Sequence, residues 1–284
     1  RMRSGELALA IEIPPGFARD VLRGKSVQVG AWFDGAMPTR AETIQGYLQG
    51  IHLHWLAEQA RERFGMQLAS PIAIESRYRY NPDVRSLPAM VPAVVPMLLL
   101  ILPAMLTALA VVREKESGSI TNLYVTPVTR SEFLLGKQLP YVALAMLNFL
   151  AMALLAVTVF GVPITGSFLA LTLAALIFTT VSTGFGLLAS TVTRSQIASM
   201  FLVVVGTVIP VTQFAGLVEP ISSLEGVGRV VGETYPASHM IAISRGVFSK
   251  ALHLRDLGGA LWPLLLAVPV VLGLAIALTR KQER

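Results

Sequence analysis

From Pro88 onward the chain is organised by long apolar runs, at 88–112, 138–160, 168–190, 197–217 and 259–279, separated by shorter polar segments. Each run is close to the ~20 residues that a helix needs to cross a hydrocarbon core about 30 Å thick, so the pattern predicts five membrane spans. The first run holds Pro88, Pro92, Pro96 and Pro103. A membrane helix tolerates such prolines where neighbours satisfy the freed carbonyls, and kinking is expected there. The first 87 residues follow a different rule. Apolar side chains alternate at Leu7, Leu9, Ile11 and Ile13, again at Val27, Val29, Ala31 and Phe33, and then at Ile72, Ile74, Tyr78 and Tyr80. Period-two alternation predicts three half-buried strands. Between them fall a short helix, Gly16 to Arg23, and a long one opened by Thr39 with Glu42 three residues later, a pair able to cap the amides of a first turn. The apolar face of the long helix is Ile44, Leu48, Ile51 and Trp55, and Phe64 followed by Gly65 closes it. A β-α-β-α-β order predicts helices packed on one sheet.

Composition sharpens this division. The 284 residues are 54% hydrophobic and 14% charged, and the mean hydropathy is +0.64, far to the apolar side of a soluble protein. Residues 1–87 hold 11 of the 23 Lys and Arg and 9 of the 17 Asp and Glu. The expected fold class is therefore an α-helical polytopic membrane protein (88–284) preceded by a small mixed α/β domain (1–87). There is no cysteine, which excludes a disulfide framework and any thiolate site. The net charge of +6 is compatible with nucleic acid, but the basic residues sit at the edges of the apolar runs, where anionic lipid attracts them. Membrane lipid is the expected partner and nucleic acid is not.

Basic residues beside short loops prefer the cytoplasm. Arg113, Lys115, Arg130 and Lys137 follow the first span, Arg194 lies between the third and fourth, and Arg280, Lys281 and Arg284 close the chain, whereas 161–167 has none. Those three basic segments are expected inside, with the C-terminus. Five spans then place residues 1–87 outside, so a further span is expected upstream of Arg1. Segment 218–258 is also outside on this count. It is long and carries Met240, Ile241, Ile243, Val247 and Phe248 in helical spacing, so it is expected to dip back into the membrane as short re-entrant helices. Its Arg245, Lys250 and Arg255 oppose the orientation rule but are balanced by Glu219, Glu225, Glu233 and Asp256.

Enzyme chemistry finds little support. His52 and His54 are two apart on a predicted helix and point in different directions, whereas paired metal ligands there stand three or four apart. Glu58 and Glu62 beside Arg61 and Arg63 read as a solvated helix face. Neither a GxxxxGK[ST] phosphate loop nor a GxSxG turn occurs, so no catalytic residue, cofactor or metal is expected and any ATP hydrolysis belongs to another chain. Within the spans, Asn148, Thr207, Thr212 and Gln213 are candidates for lining a substrate path, but interhelical hydrogen bonding is the favoured account of them. No Asp, Glu, Lys or Arg lies in the middle of a span, which weighs against a proton-coupled carrier. Ser182, Gly184, Gly186 and Ser190 would permit close helix packing.

The segment from Arg113 to Lys137 interrupts two apolar runs with four positive and three negative side chains. Glu114, Lys115 and Glu116 sit just past a span end, and Ile120 to Tyr124 would form a short helix along the membrane face, ended by Thr126-Pro127. A new turn would begin at Thr129 or Ser131. A solvated loop with interfacial basic anchors explains the same residues, as does a docking surface rigidly joined to two spans. The run Arg113 to Leu123, with Val125-Thr-Pro-Val and then Glu132-Phe-Leu-Leu-Gly-Lys-Gln-Leu-Pro-Tyr141, resembles the coupling segment of ABC-2 type transporter permeases. Tyr80-Asn-Pro-Asp-Val-Arg-Ser86 before Met90-Val-Pro92, and Tyr235-Pro-Ala-Ser-His-Met with Ser244-Arg-Gly-Val-Phe248, agree in the same order. The likeness covers nearly the whole chain and is strongest to the bacterial drug-export permeases of the inner membrane that carry an outer domain.

That resemblance implies an ABC-2 exporter fold of six spans, a second permease copy in a homodimer or related heterodimer, and cytosolic ABC ATPase subunits. It also implies a periplasmic place for residues 1–87, with a periplasmic adaptor protein as a further candidate partner. Arg113, Glu114, Glu116, Gly118, Thr121 and Leu123 are the positions it implies for the ATPase-facing surface, and 218–258 for the re-entrant helices. A non-transporting membrane scaffold or sensor, with a ligand-binding outer domain, is the alternative function.

Overall fold

The structure is a computed structural model that describes residues 9–33, 38–64, 85–118, 129–217 and 220–279. It divides into two units, Arg1–Ser76 and Arg77–Arg284.

In the first unit, strand β1 (Leu9–Glu12) pairs antiparallel with β2 (Gly30–Phe33), with Leu9 opposite Phe33 and Glu12 opposite Gly30. Helix α1 (Phe17–Leu22) follows Gly16, whose φ of 83° is a left-handed turn that glycine adopts without strain. The long helix α2 (Pro38–Phe64) comes after β2. Phe17 meets Trp55 at 6.3 Å between ring centroids, and His52 stacks on the same indole. The expected apolar face of α2 is largely open: Ile51 is 67% exposed. The expected third strand lies outside the described residues, as does Leu7 at the start of the first.

The second unit holds five helices long and apolar enough to cross a membrane. They are α3 (Ser86–Glu116), α4 (Arg130–Thr158), α5 (Phe168–Val192), α6 (Gln196–Phe214) and, after two shorter helices, α9 (Gly258–Leu278). All five match the apolar runs, with two displaced ends. Helix α3 continues four residues past its apolar run, so Arg113 to Glu116 form its last turn, while the surface helix expected at Ile120 to Tyr124 lies outside the described residues. Helix α4 begins well before position 138 because Thr129 and Glu132 form a reciprocal cap, each side chain taking the other's backbone amide.

Lipid tails are as apolar as leucine, so hydrophobicity alone does not draw spans together; close packing and interhelical hydrogen bonds do. Helix α3 buries Pro92, Pro96, Leu99, Leu100, Pro103 and Ala104 along one strip, while Val94, Leu98, Leu102 and Leu106, four apart, form its open face. Helix α5 is pressed onto that strip: a Cβ on Gly186 would stand 2.1 Å from the Ala104 carbonyl oxygen, and the Ser182 hydroxyl donates to the Leu100 carbonyl at 2.6 Å. Buried Gln138 ties α4 to α5 by donating to the Thr180 carbonyl and the Thr183 hydroxyl, at 2.8 and 2.9 Å. Helices α3 and α5 are the core of the bundle, and α4, α6 and α9 flank it.

Segment 220–257 forms α7 (Gly226–Thr234) and α8 (Pro236–Ser249) with a short 3-10 turn before and after the pair. Helix α8 is about 21 Å long at 1.5 Å per residue, too short to span. It is nonetheless a core element. Met240, Ile241, Ile243, Val247 and Phe248 are all buried, in one cluster with Leu99 and Leu100 of α3 and Phe178 of α5. The loop before α5 seals its far end, with Gly166 N–H donating to the Val247 carbonyl at 2.8 Å and the Thr165 hydroxyl to that of Phe248 at 2.8 Å.

The close approach at Gly186 gives a direct test. Gly186→Ala must push α3 and α5 apart, and overpacking of this kind costs about 1–3 kcal/mol. Its thermal midpoint in detergent will fall by several degrees, whereas Gly273→Ala, mid-α9 with open space around it, will leave the midpoint unchanged.

Candidate functional site

Successive residues on a helix point about 100° apart, so three consecutive charges cannot share one partner. At the end of α3 each finds a different helix. Glu114 is in an ion pair with Lys137 in the second turn of α4. Lys115 donates to the Ser190 carbonyl at 2.6 Å and more weakly to that of Thr193 at 3.4 Å, both at the C-terminal end of α5. Glu116 accepts from the backbone amide of Gln196 at 2.8 Å and from its side-chain amide, at the N-terminus of α6. The signs fit the helix ends: a cation meets orphan carbonyls, an anion meets orphan amides. Ser195 caps the same helix by accepting from the Ala198 amide at 3.2 Å. One turn thus fixes the ends of four helices.

The helix stops directly after this turn. Ser117 N–H bonds back to the Arg113 carbonyl and Gly118 N–H to that of Lys115, with Gly118 at φ 72°. A side chain at that φ would be strained, which is why glycine ends the helix here. Arg113 is exposed on the same turn. Arg113, Glu114, Glu116 and Gly118 are therefore brought together, while Thr121 and Leu123 lie outside the described residues.

The four path candidates do not converge. Asn148 is half-buried on α4, which packs against α3 and α5, and the other three are on α6, which packs mainly against α3. Thr207 and Thr212 donate to the carbonyls four residues back, at 2.7 and 2.8 Å, and Gln213 is exposed. Among the described residues no group of three His, Asp or Glu is placed to hold a metal ion.

Sequence reasoning gave Lys137 and Arg245 only as charges bearing on orientation and passed over Gln196. The guanidinium of Arg245, on α8, donates to the Gly216 and Leu217 carbonyls at 2.7 and 3.0 Å, holding the turn just past the far end of α6. Burial lowers its pKa from the usual guanidinium value. Its charge, at odds with a simple orientation rule, is spent on a helix C-terminus. A basic residue inside an apolar helical stretch was the available signal.

Comparison with known proteins fits this arrangement. The profile of a family described as "ABC-2 family transporter protein" matches residues 1–277. The chain belongs to that family. "Probable multidrug ABC transporter permease YbhS" of Escherichia coli K12 is 32% identical over 249 residues, covering 87% of this chain and 66% of the relative. "Inner membrane transport permease YhhJ" of the same organism is 27% identical over 283 residues, covering 98% and 73%. "Probable multidrug ABC transporter permease YbhR" is 26% identical over 276 residues, covering 96% and 73%. The chain thus spans roughly two thirds to three quarters of the length of these ABC-2 permeases. No solved structure matches it.

The two grips on α6 separate experimentally. Glu116→Ala removes the acceptor at its first amide and will speed hydrogen exchange at residues 196–199 without changing 213–217. Arg245→Met will do the reverse. Exchange mass spectrometry of the protein in nanodiscs reads both.

Proposed function

We propose that the chain is the membrane-spanning subunit of an ABC-2 exporter in the bacterial inner membrane, paired with a second copy or a related chain and driven by two cytosolic ATPase subunits. The observation that carries this reading, beside family membership, is the charged turn. Glu114, Lys115 and Glu116 tie α3 to α4, α5 and α6 at the point where the loop toward α4 departs. A partner that displaces that loop moves four helix ends together. Arg113, Lys115, Lys137 and Arg194 gather near this end, which favours the cytoplasmic side. The first unit is then periplasmic, open to an adaptor protein, and the C-terminus is cytoplasmic.

Nucleotide shifts the permease only through differential affinity for its two states. Closure of the ATPases on ATP would select the state in which the turn, with the loop at Thr121 and Leu123, is drawn toward them. The chain itself supplies no hydrolysis. Its share is to couple the turn to helix positions that open a path outward, and the apolar spans, lacking a mid-span carboxylate, leave nucleotide as the energy source. YbhS and YbhR are named as probable multidrug permeases, and an amphiphilic cargo suits this apolar interior.

Arg113 offers the cleanest test, because its side chain is exposed while its neighbours are used within the fold. Arg113→Glu, reconstituted in nanodiscs with the cognate ABC ATPase, is expected to reduce permease-stimulated ATP hydrolysis about tenfold, the scale for a reversed interface charge, with an unchanged thermal midpoint. Unchanged stimulation would contradict this docking surface.

A further inference from the structure

Helix α6 carries Pro210, which has no amide hydrogen, so the carbonyl four residues earlier, on Gly206, loses its helical partner. In an apolar surrounding such a carbonyl must be satisfied from elsewhere. The donor is Tyr235, at the junction of α7 and α8, whose hydroxyl lies 3.3 Å from the Gly206 oxygen. That is longer than a full-strength hydroxyl hydrogen bond, and correspondingly easy to open. The ring is held by Phe185 of α5, with centroids 6.2 Å apart and planes 29° apart. Burial pushes the phenol's pKa up, so its hydroxyl remains a donor.

Two further observations bear on what this contact does. Arg245, in the helix directly after Tyr235, holds Gly216 and Leu217 just past the end of α6, so the part of α6 beyond Pro210 is fastened to α8. The part before Pro210 is fastened instead to the charged turn, through Glu116 and Gln196. The two halves of one helix thus have different anchors, and the weak point between them is Gly206–Pro210. There is room to bend: a groove of about 350 Å³ runs beside Leu202, Val203, Gly206 and Thr207, walled by α5 and α9, and a Cβ on Gly206 would meet nothing within 4 Å.

We propose that Tyr235 is a positioning residue: its hydroxyl latches a hinge in α6 at Gly206–Pro210, fixing the angle between the half that follows the charged turn and the half that follows α7 and α8. With the latch closed, motion of the turn reaches the far end of the bundle; with it open, α6 bends and the motion is absorbed. The role in transport rests on the function proposed above, and the latch itself does not.

The chain has no cysteine, so spin labels at Ile197→Cys and Val227→Cys, both strongly exposed positions, are the only ones present and report the angle directly. Tyr235→Phe removes the hydroxyl and keeps the ring; Pro210→Ala restores the amide that closes the Gly206 carbonyl from within the helix. In nanodiscs, the unsubstituted background and Pro210→Ala are expected to give one narrow distance distribution, Tyr235→Phe one at least twice as broad, and the double variant a narrow one again. A width that Tyr235→Phe leaves unchanged overturns the latch, as does broadening that persists with Pro210→Ala. Loss of permease-stimulated ATP hydrolysis in Tyr235→Phe, recovered in the double variant, supports its part in coupling. Broadened distances with full stimulation would leave the hinge standing and overturn that part alone.

Discussion

The structure depends on one arrangement: three of the four adjacent charges at the end of a membrane helix each take a partner, and the pitch of the helix sends them to three different neighbours. Glu114 takes a cation on α4, Lys115 the carbonyl end of α5, and Glu116 the amide end of α6. Elsewhere the bundle is held by close packing, as at Gly186 against Ala104, and by hydrogen bonds such as those of Ser182 and Gln138. The charged turn adds what packing cannot, a single point through which α3, α4, α5 and α6 are connected, at the mouth of a loop.

At the opposite end the same chemistry recurs with one residue. Arg245 reaches from a short buried helix to the Gly216 and Leu217 carbonyls, in the turn just past the end of α6. Helix α6 is therefore anchored by an anion at its start and a cation at its end, the polarity its dipole favours. Packing around α8 makes that second anchor firm, because its apolar face is shared with the central strip of α3.

Much of this was legible in the sequence, and the limits are physical. Spans were legible because the bilayer sets a fixed length, and the start of α4 because Thr129 and Glu132 form a local cap. The charged turn was visible as residues, but its partners were not: Lys115 to Ser190 and Glu116 to Gln196 bridge 75 and 80 positions, and no local pattern encodes which helix ends meet. Arg245 was legible only as an exception to charge asymmetry. The apolar face expected for α2 illustrates the converse, since Ile51 has the right spacing and yet remains open. Periodicity states which residues share a face; it does not state what covers them.

The most direct measurement uses the absence of cysteine. Ser117→Cys places a lone thiol on the exposed residue that follows the charged turn. A membrane-impermeant maleimide is expected to leave it unlabelled in intact cells, to label it fully in inverted vesicles, and to be blocked there once the partner ATPase is bound. Ready labelling from outside intact cells would put the turn on the wrong side of the membrane and contradict the account.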